Sequence, residues 1–255
     1  DNPYWIRYEN YEKDGRNRLV GYAQLDWQIS SDLKAMARYA VDTYSELQEE
    51  HKAVGSGPGE FGVGRNDVGS GYSRFTRDFT ESNLDFTLNY HKRFGEDVDF
   101  TGLLGSNIRR TRAERVFIST NNGLSVPGVY ALSNSVDPLL PPEESLSQIG
   151  VNGYFGSMSL GLKNTYFLDA TIRNDISSTL PLENRSFWYP SVTTSVIFSN
   201  LLNLDWMDLG KVRINYAEVG SGAPALSIKD TYLANAPFSG NSLVTVPNTK
   251  LNSKL

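Results

Sequence analysis

FLDATIRNDISSTLP, Phe167 to Pro181, alternates with a period of two: Leu168, Ala170 and Ile172 are apolar, and Asp169, Thr171, Arg173 and Asp175 between them are polar or charged. Successive side chains of a strand point to opposite faces. As a strand, this stretch has one apolar face and one face carrying both signs of charge. The fold turns on which of the two meets water.

The same pattern recurs along the chain. Arg18–Ile29 sets Leu19, Ala23, Leu25, Trp27 and Ile29 against Gln24, Asp26 and Gln28, and Leu33–Tyr44 sets Ala35, Ala37, Tyr39 and Val41 against Lys34, Arg38 and Asp42. Asn83–Phe94 opposes Leu84, Phe86, Leu88 and Tyr90 to Asp85, Asn89 and His91; Asp99–Arg110 opposes Phe100, Leu104 and Ile108 to Asn107 and Arg109. Asn152–Leu162, Ser186–Ser199 and Lys211–Val219 complete the set. The pattern predicts about eight antiparallel strands, each near the roughly 9–11 residues that cross a bilayer when tilted. No segment has a firm helical period, LSIKDTYLANA from Leu226 being the weak exception. Pro190 lies inside a strand, where its missing N–H is tolerated only near a strand start or at a bulge.

Bulk properties exclude several classes. The net charge of -5 argues against a nucleic-acid partner. Cys is absent, which removes disulfides, thiolate nucleophiles and cysteine metal sites. No apolar run reaches the roughly 18 residues of a transmembrane helix, but strands that alternate can still cross as a barrel. The opening Asp1-Asn2-Pro3-Tyr4-Trp5 is not a secretory leader, so the chain is expected to be mature, a piece of a longer one, or both.

Connections separate a membrane barrel from a soluble sandwich, which uses the same alternation. Short turns are expected at Ser30-Ser31-Asp32, Gly95-Glu96-Asp97 and Asn164, with Asn200–Gly210 somewhat longer. Between them come long polar stretches: Ser45–Ser82, Thr111–Ile149, the shorter Ser177–Arg185, and the tail from Gly220. In an up-and-down meander this rhythm puts all turns at one end and all long loops at the other, as outer-membrane barrels do. Trp27, Tyr90, Tyr166 and Phe198 fall on the apolar side near the turns, where an interfacial aromatic girdle belongs. The apolar face is therefore expected to meet lipid and the charged face a watery lumen.

Motifs of soluble chemistry do not survive their context. Gly57–Gly62 fits GxGxxG but holds a Pro and lacks the strand before and helix after it. His51 and His91 have no recognisable metal or triad partners. The acidic groups Glu96-Asp97-Asp99 and Glu143-Glu144 lack the organised oxygen spacing of a calcium site. Asn184-Arg185-Ser186 matches a glycosylation sequon and the terminal Ser253-Lys254-Leu255 a peroxisomal address, both short enough to arise by chance. No catalytic, metal or cofactor site is expected.

The stretch VNGYFGSMSLGLKNTYFLDATIRNDISSTLPLENRSFWYPSVTTSVIFSNL closely resembles the SusC/RagA family of TonB-dependent outer-membrane transporters. The likeness extends to NPYW, RNRLVGYAQLDWQI, PGVYALSNS (Pro127 to Ser135) and GKVRINYAEVG. It implies that the all-β fold is an antiparallel up-and-down transmembrane β-barrel segment with long extracellular loops, about eight strands of an implied 22-stranded barrel. It also implies an N-terminal plug outside residues 1–255, TonB as energy source, a SusD-like surface lipoprotein as lid, and an oligosaccharide or peptide as cargo in the outer membrane of a Gram-negative bacterium. The alternatives are eight strands that close on themselves as an adhesin, or a barrel enzyme, for which no Ser/His or paired-carboxylate site is visible.

Substrate contacts are expected from the lumen wall at Asn107, Arg109, Asp169, Arg173 and Asp175, a mixed-charge surface suited to neutral or zwitterionic solutes. Loop residues Asn121, Asn122, Tyr130 and Asn134 add amides and an aromatic ring suited to sugars and usable by peptides.

Overall fold

Eight of the period-two segments pair, in chain order, into one antiparallel sheet. The computed structural model describes residues 2–57, 69–202, 206–228 and 230–252. It begins with α1 (Pro3–Glu9), β1 (Tyr11–Gln28), β2 (Leu33–Lys52), β3 (Gly71–Phe94) and β4 (Val98–Ser119). A small hairpin follows, β5 (Asn121–Leu124) and β6 (Ser135–Asp137), then β7 (Glu143–Leu162), β8 (Tyr166–Ser177) and β9 (Ser186–Ile197). The short α2 (Ser199–Leu202), β10 (Lys211–Ala217), and the hairpin β11 (Leu233–Phe238) and β12 (Asn241–Thr245) close the series. The large sheet has the order β1-β2-β3-β4-β7-β8-β9-β10.

Directly opposed residues of an antiparallel ladder share a face, so the register identifies the two surfaces. One row runs Trp27, Ala35, Leu88, Leu104, Gly156, Ile172 and Pro190. On the other face, three rungs toward the loops, a row runs Gln24, Arg38, Asp85, Asn107, Gly153, Asp175 and Phe187. The apolar rows are not covered by protein: Leu25 is 70% and Leu104 65% exposed. Among the described residues the buried apolar side chains are Ala53, Tyr72, Leu124 and Leu180, all near the loop end. A sandwich would bury one face of each sheet. Here the apolar face is bare, which suits lipid.

Aromatic side chains mark both borders of the bare band. Trp27, Tyr90 and Tyr166 stand near the turns, and Tyr39, Tyr154 and Trp188 on the same face toward the loops. Phe198 lies one residue past β9, packed over Gly210 at the β9–β10 connection.

Turns and loops alternate between the two ends, but the strands outrun the expected ones. β3 has 24 residues, roughly 80 Å at the usual rise, far more than a bilayer needs. Thus 45–52, 71–82, 111–119 and 143–149, read as loop from the sequence, are strand, and the connections shrink to 53–70 and 120–142. Beyond the membrane both faces meet water, so SELQEEHK at the end of β2 loses the alternation that marks a lipid-crossing strand. Two hairpins inside the expected loop and tail, β5–β6 and β11–β12, are too short to show a period. LSIKDTYLANA is turn and strand where described, not helix. The helix α1 has a local signal instead: Asn2 caps it by accepting from Tyr4 N at 3.1 Å, with Pro at its start.

Local chemistry explains the remaining special positions. Lys163 and Asn164 both have φ of 52°, the left-handed central pair of the Leu162–Thr165 turn, in which Thr165 N donates to Leu162 O at 3.0 Å. Pro190 sits at the end of the β9–β10 ladder, where its carbonyl accepts from Glu218 N at 3.1 Å, so its missing N–H interrupts no later rung. Among the described residues β1 pairs only with β2 and β10 only with β9. The sheet is open, and the alternative of eight strands closing on themselves is not what it forms. The GxGxxG residues after Gly57 and the terminal Ser253-Lys254-Leu255 lie outside the described residues.

The face assignment has a direct consequence. In the full-length membrane-assembled protein, Ile172→Arg should cost about 2–4 kcal/mol, and Thr171→Arg, on the other face, much less. Urea unfolding from vesicles measures both; equal cost would contradict the assignment.

Candidate functional site

The charged face forms a wall whose chemistry is set by cross-strand pairs. Arg38 on β2 donates to Asp85 on β3 through Nη2 at 2.8 Å and Nε at 3.0 Å, and Asn107 on β4 donates to the other Asp85 oxygen at 2.5 Å. These side chains, with Tyr22 and Asn83, edge a recess of about 280 Å³. Next in the row is Gly153, then Asp175, which accepts from Arg173 Nε at 2.8 and 3.0 Å. A Cβ on Gly153 would lie 2.5 Å from Arg173 Nη2 and 2.6 Å from Asp175 Oδ1. Glycine therefore lets this ion pair lean across β7. A side chain on Gly105 would likewise collide with the ring of Phe155, over which the Arg173 guanidinium sits at 5.6 Å.

Three of the five expected wall residues, Asn107, Arg173 and Asp175, thus meet around Gly153. Arg109 is one row nearer the loops, opposite Asn83 and Val151. Asp169 lies between Ser159 and Thr193, four residues from Arg173 and about 13 Å toward the turns at the usual strand rise. Arg38, Asp85, Gly105, Gly153 and Phe155 escaped the sequence reading as site residues. Their polar or small character was visible, but the register that brings them together belongs to pairs of strands.

Above the apolar band the same face continues as an arginine and aromatic shelf. Arg16, Glu46, Arg77 and Arg115 form one row. Glu46 is buried and accepts from Arg16 at 2.7 Å, and that hydrogen bond holds its carboxyl below the usual carboxylate range. Tyr44 stacks on Phe79 with centroids 5.0 Å apart and has the Arg16 guanidinium 4.8 Å from its ring centroid. Arg115 donates to Ser145 at 2.7 Å.

The four loop residues have different environments. Asn134 is buried; its amide donates to the carbonyls of Val126 and Val129 at 2.8 and 2.7 Å and accepts from Val126 N at 3.0 Å. It holds the loop's shape. Asn121 donates to Pro138 O at 2.9 Å, and Asn122 is exposed with φ of 58°. Tyr130 packs on His51, centroids 4.3 Å apart, and its hydroxyl reaches Glu9 O at 3.4 Å. Tyr11 also packs on His51, at 4.4 Å, and meets Tyr130 edge-on at 6.2 Å; Tyr72 meets His51 edge-on at 5.3 Å, while the Tyr72 hydroxyl donates to Glu49. This cluster docks the 120–142 loop and α1 onto the outer side of β2 and β3. His91 stands on the lumen face at the turn end, with Nδ1 3.0 Å from Thr101 Oγ1.

No protein-family model matches the chain. The TonB-dependent receptor P26 of Formosa agariphila is 25% identical over 261 residues, taking in 98% of the chain and 24% of that receptor. The fold superposes on the RagAB peptide transporter with a TM-score of 0.83 at 17% identity, over 99% of this chain and 28% of that one. The 'closed-closed' and 'open-open' states of the RagAB peptide importer give 0.80 and 0.79. The chain spans about a quarter of the length of these relatives. The chain thus has the fold of a segment of these β-barrels and is similar to a TonB-dependent receptor along nearly its whole length.

The His51 cluster makes loop docking pH-dependent. Burial pushes the His51 imidazole below its ordinary value, against a smaller upward pull from Glu49, and neither ring nitrogen has a hydrogen-bond partner among the described residues. A depressed histidine contributes fully above its unfolded pKa of about 6.5, and that stability is lost as pH falls below it. Hydrogen exchange in residues 120–142 of the full-length protein, corrected for intrinsic rates, should be faster at about pH 5.5 than at about pH 7.5. His51→Phe should abolish the difference; an unchanged difference in that variant would assign it elsewhere.

Proposed function

We propose that the chain is part of the barrel wall of an outer-membrane active transporter that imports oligosaccharides or peptides, driven by TonB through a plug and covered by a SusD-like lipoprotein. Similarity to a TonB-dependent receptor and to the RagAB transporter supports nutrient transport across the outer membrane. The single observation that carries the reading is the two-faced open sheet, with lipid-type rows on one side and paired charges on the other. Its free edges are those of a wall continued by further strands, because lipid tolerates no unpaired backbone edge. The turns then lie in the periplasm and the long hairpins outside the cell.

Because Asp85 is satisfied by Arg38 and Asn107, and Asp175 by Arg173, the wall presents local dipoles and no single-sign ring. Such a surface favours polar cargo that is neutral or zwitterionic. Arg109 and Asp169 extend it toward the loops and the turns. At the mouth, Asn121 and Asn122 meet cargo, while Tyr130 and Asn134 keep the loop in place.

Two measurements on intact cells and the full-length protein test this reading. Cysteines at Asn122 and Asn184 should react with an impermeant reagent, and those at Ser31, Glu96 and Asn164 should not; equal labelling would overturn the orientation. Replacing Asp85 and Asp175 together by Asn leaves Arg38 and Arg173 unneutralised. Uptake of the neutral cargo should fall about tenfold, the scale of one lost charge-assisted contact. Unchanged uptake would remove these pairs from the transport path.

A further inference from the structure

We infer that the outer face of the sheet, directly above its apolar band, holds a binding site for the phosphorylated headgroup of an outer-leaflet lipid, with Arg110 and Arg185 as its anion-binding residues. The inference rests on the orientation proposed above. On β4 the outward positions run Phe100, Leu104 and Ile108, and the next is Arg110. The row Leu84–Ile108 belongs to the band; the row above it is Ser82, Arg110 and Gly150. Arg110 therefore stands at the border of hydrocarbon and water, on the side away from the lumen, while its chain neighbour Arg109 faces inward.

Its guanidinium is both placed and available. A Cβ on Gly150 would come within 3.4 Å of Arg110 Cζ, so the bare glycine lets the side chain lie across β7. Arg110 Nη1 donates to the carbonyls of Arg109 at 2.8 Å and Val151 at 3.4 Å, leaving the rest of the fork open. Arg16, Arg18, Arg38, Arg93, Arg112 and Arg173 all have carboxylate partners. Among the described residues Arg110 and Arg185 have none, nor do Arg7, Arg74, Arg77, Arg109, Arg115 and Arg213; of these, Arg110 lies on the outer face directly above the apolar band. Arg110 and Arg185 line a single groove of about 200 Å³ together with Asn152, Ser177 and Ser178. It adjoins a larger one, about 640 Å³, walled by Arg110, Arg112, Thr80, Ser82 and Gln148. The unneutralised Arg110 guanidinium, with Arg185, the two serines and Asn152 lining the same groove, makes a donor-rich cradle for a phosphate, which a guanidinium fork matches well.

A second feature separates a lipid from free phosphate. Below the arginines, on the same face, an apolar furrow of about 480 Å³ runs between Trp27, Ala37, Phe86, Leu88 and Leu104. Along β4, Leu104 is six residues from Arg110, about 20 Å at the usual rise. That is within reach of one acyl chain. Headgroup cradle and chain furrow share β4, and basic clusters at a bilayer surface select anionic lipids.

The test uses the full-length protein, delipidated in detergent and titrated with a phosphorylated glycolipid of the lipid A type, bound lipid being counted by native mass spectrometry. Arg110→Ala with Arg185→Ala should weaken binding about tenfold or more, as should removing the lipid's phosphates. Arg109→Ala should leave lipid binding as it is, and inorganic phosphate at equal concentration should not displace the lipid. Arg110→Gln with Arg185→Gln keeps the side chains' polarity and much of their bulk, and heat-modified gel mobility confirms a folded barrel. Unchanged affinity in the double variants, equal binding of dephosphorylated lipid, equal loss in Arg109→Ala, or displacement by inorganic phosphate would each overturn the site. Labelling at Asn184 reports orientation independently, so external labelling without headgroup binding overturns this inference and leaves the transporter reading standing.

Discussion

Hydrocarbon offers no hydrogen bonds, so every backbone N–H and C=O that crosses it must find a partner within the protein. The ladder linking β1 through β10 answers that constraint, and the rest of the structure follows from it. Once register is fixed, the two-residue period gives each side chain a face. Leu104 and Ile172 can be exposed because their surroundings are lipid. Gly153 can be bare because two neighbouring side chains use its space. Only at the two outer edges is the constraint unmet, which is why the sheet makes physical sense as part of a larger wall.

The faces manage charge differently. Inside, Arg38, Asp85, Asn107, Arg173 and Asp175 are arranged so that each carboxylate has a donor on its own or the next strand. Such exposed pairs stabilise little, but they set the local potential of that face. Outside, charge is confined to the levels beyond the apolar band. Arg110 there lacks the neutralising carboxylate that Arg38 and Arg173 have on the other face. An unneutralised cation on the lipid side has a natural counterpart in an anionic headgroup, as a neutralised wall has in an uncharged solute.

Much of the fold was legible in the sequence, for a reason visible at particular residues. Where one face meets lipid and the other water, as from Leu168 to Asp175, polarity alternates and the strand announces itself. Where both faces meet water, as in Ser45–Lys52, the same backbone geometry leaves no periodic trace, so the projecting hairpins read as loops. The hairpin turn at Lys163-Asn164 and the Asn2-Pro3 cap were local signals, the second of them missed. The site was only partly legible. Asn107, Arg173 and Asp175 were recognisable as residues of the charged face, but Asp85 and Gly153 join them only through cross-strand register. Asn134, chosen for its amide, has that amide engaged by three backbone groups, which residue type alone does not reveal.

The division of the sheet into a lipid face and a water face is the claim on which all else rests. It is tested most directly by single spin labels at consecutive positions Leu168 to Arg173 of β8, in the full-length protein reconstituted into bilayers. Relaxation by oxygen dissolved in the bilayer should peak at Leu168, Ala170 and Ile172, and relaxation by a water-soluble nickel chelate at Asp169, Thr171 and Arg173. A reversed phase, or no two-residue period at all, would contradict the account.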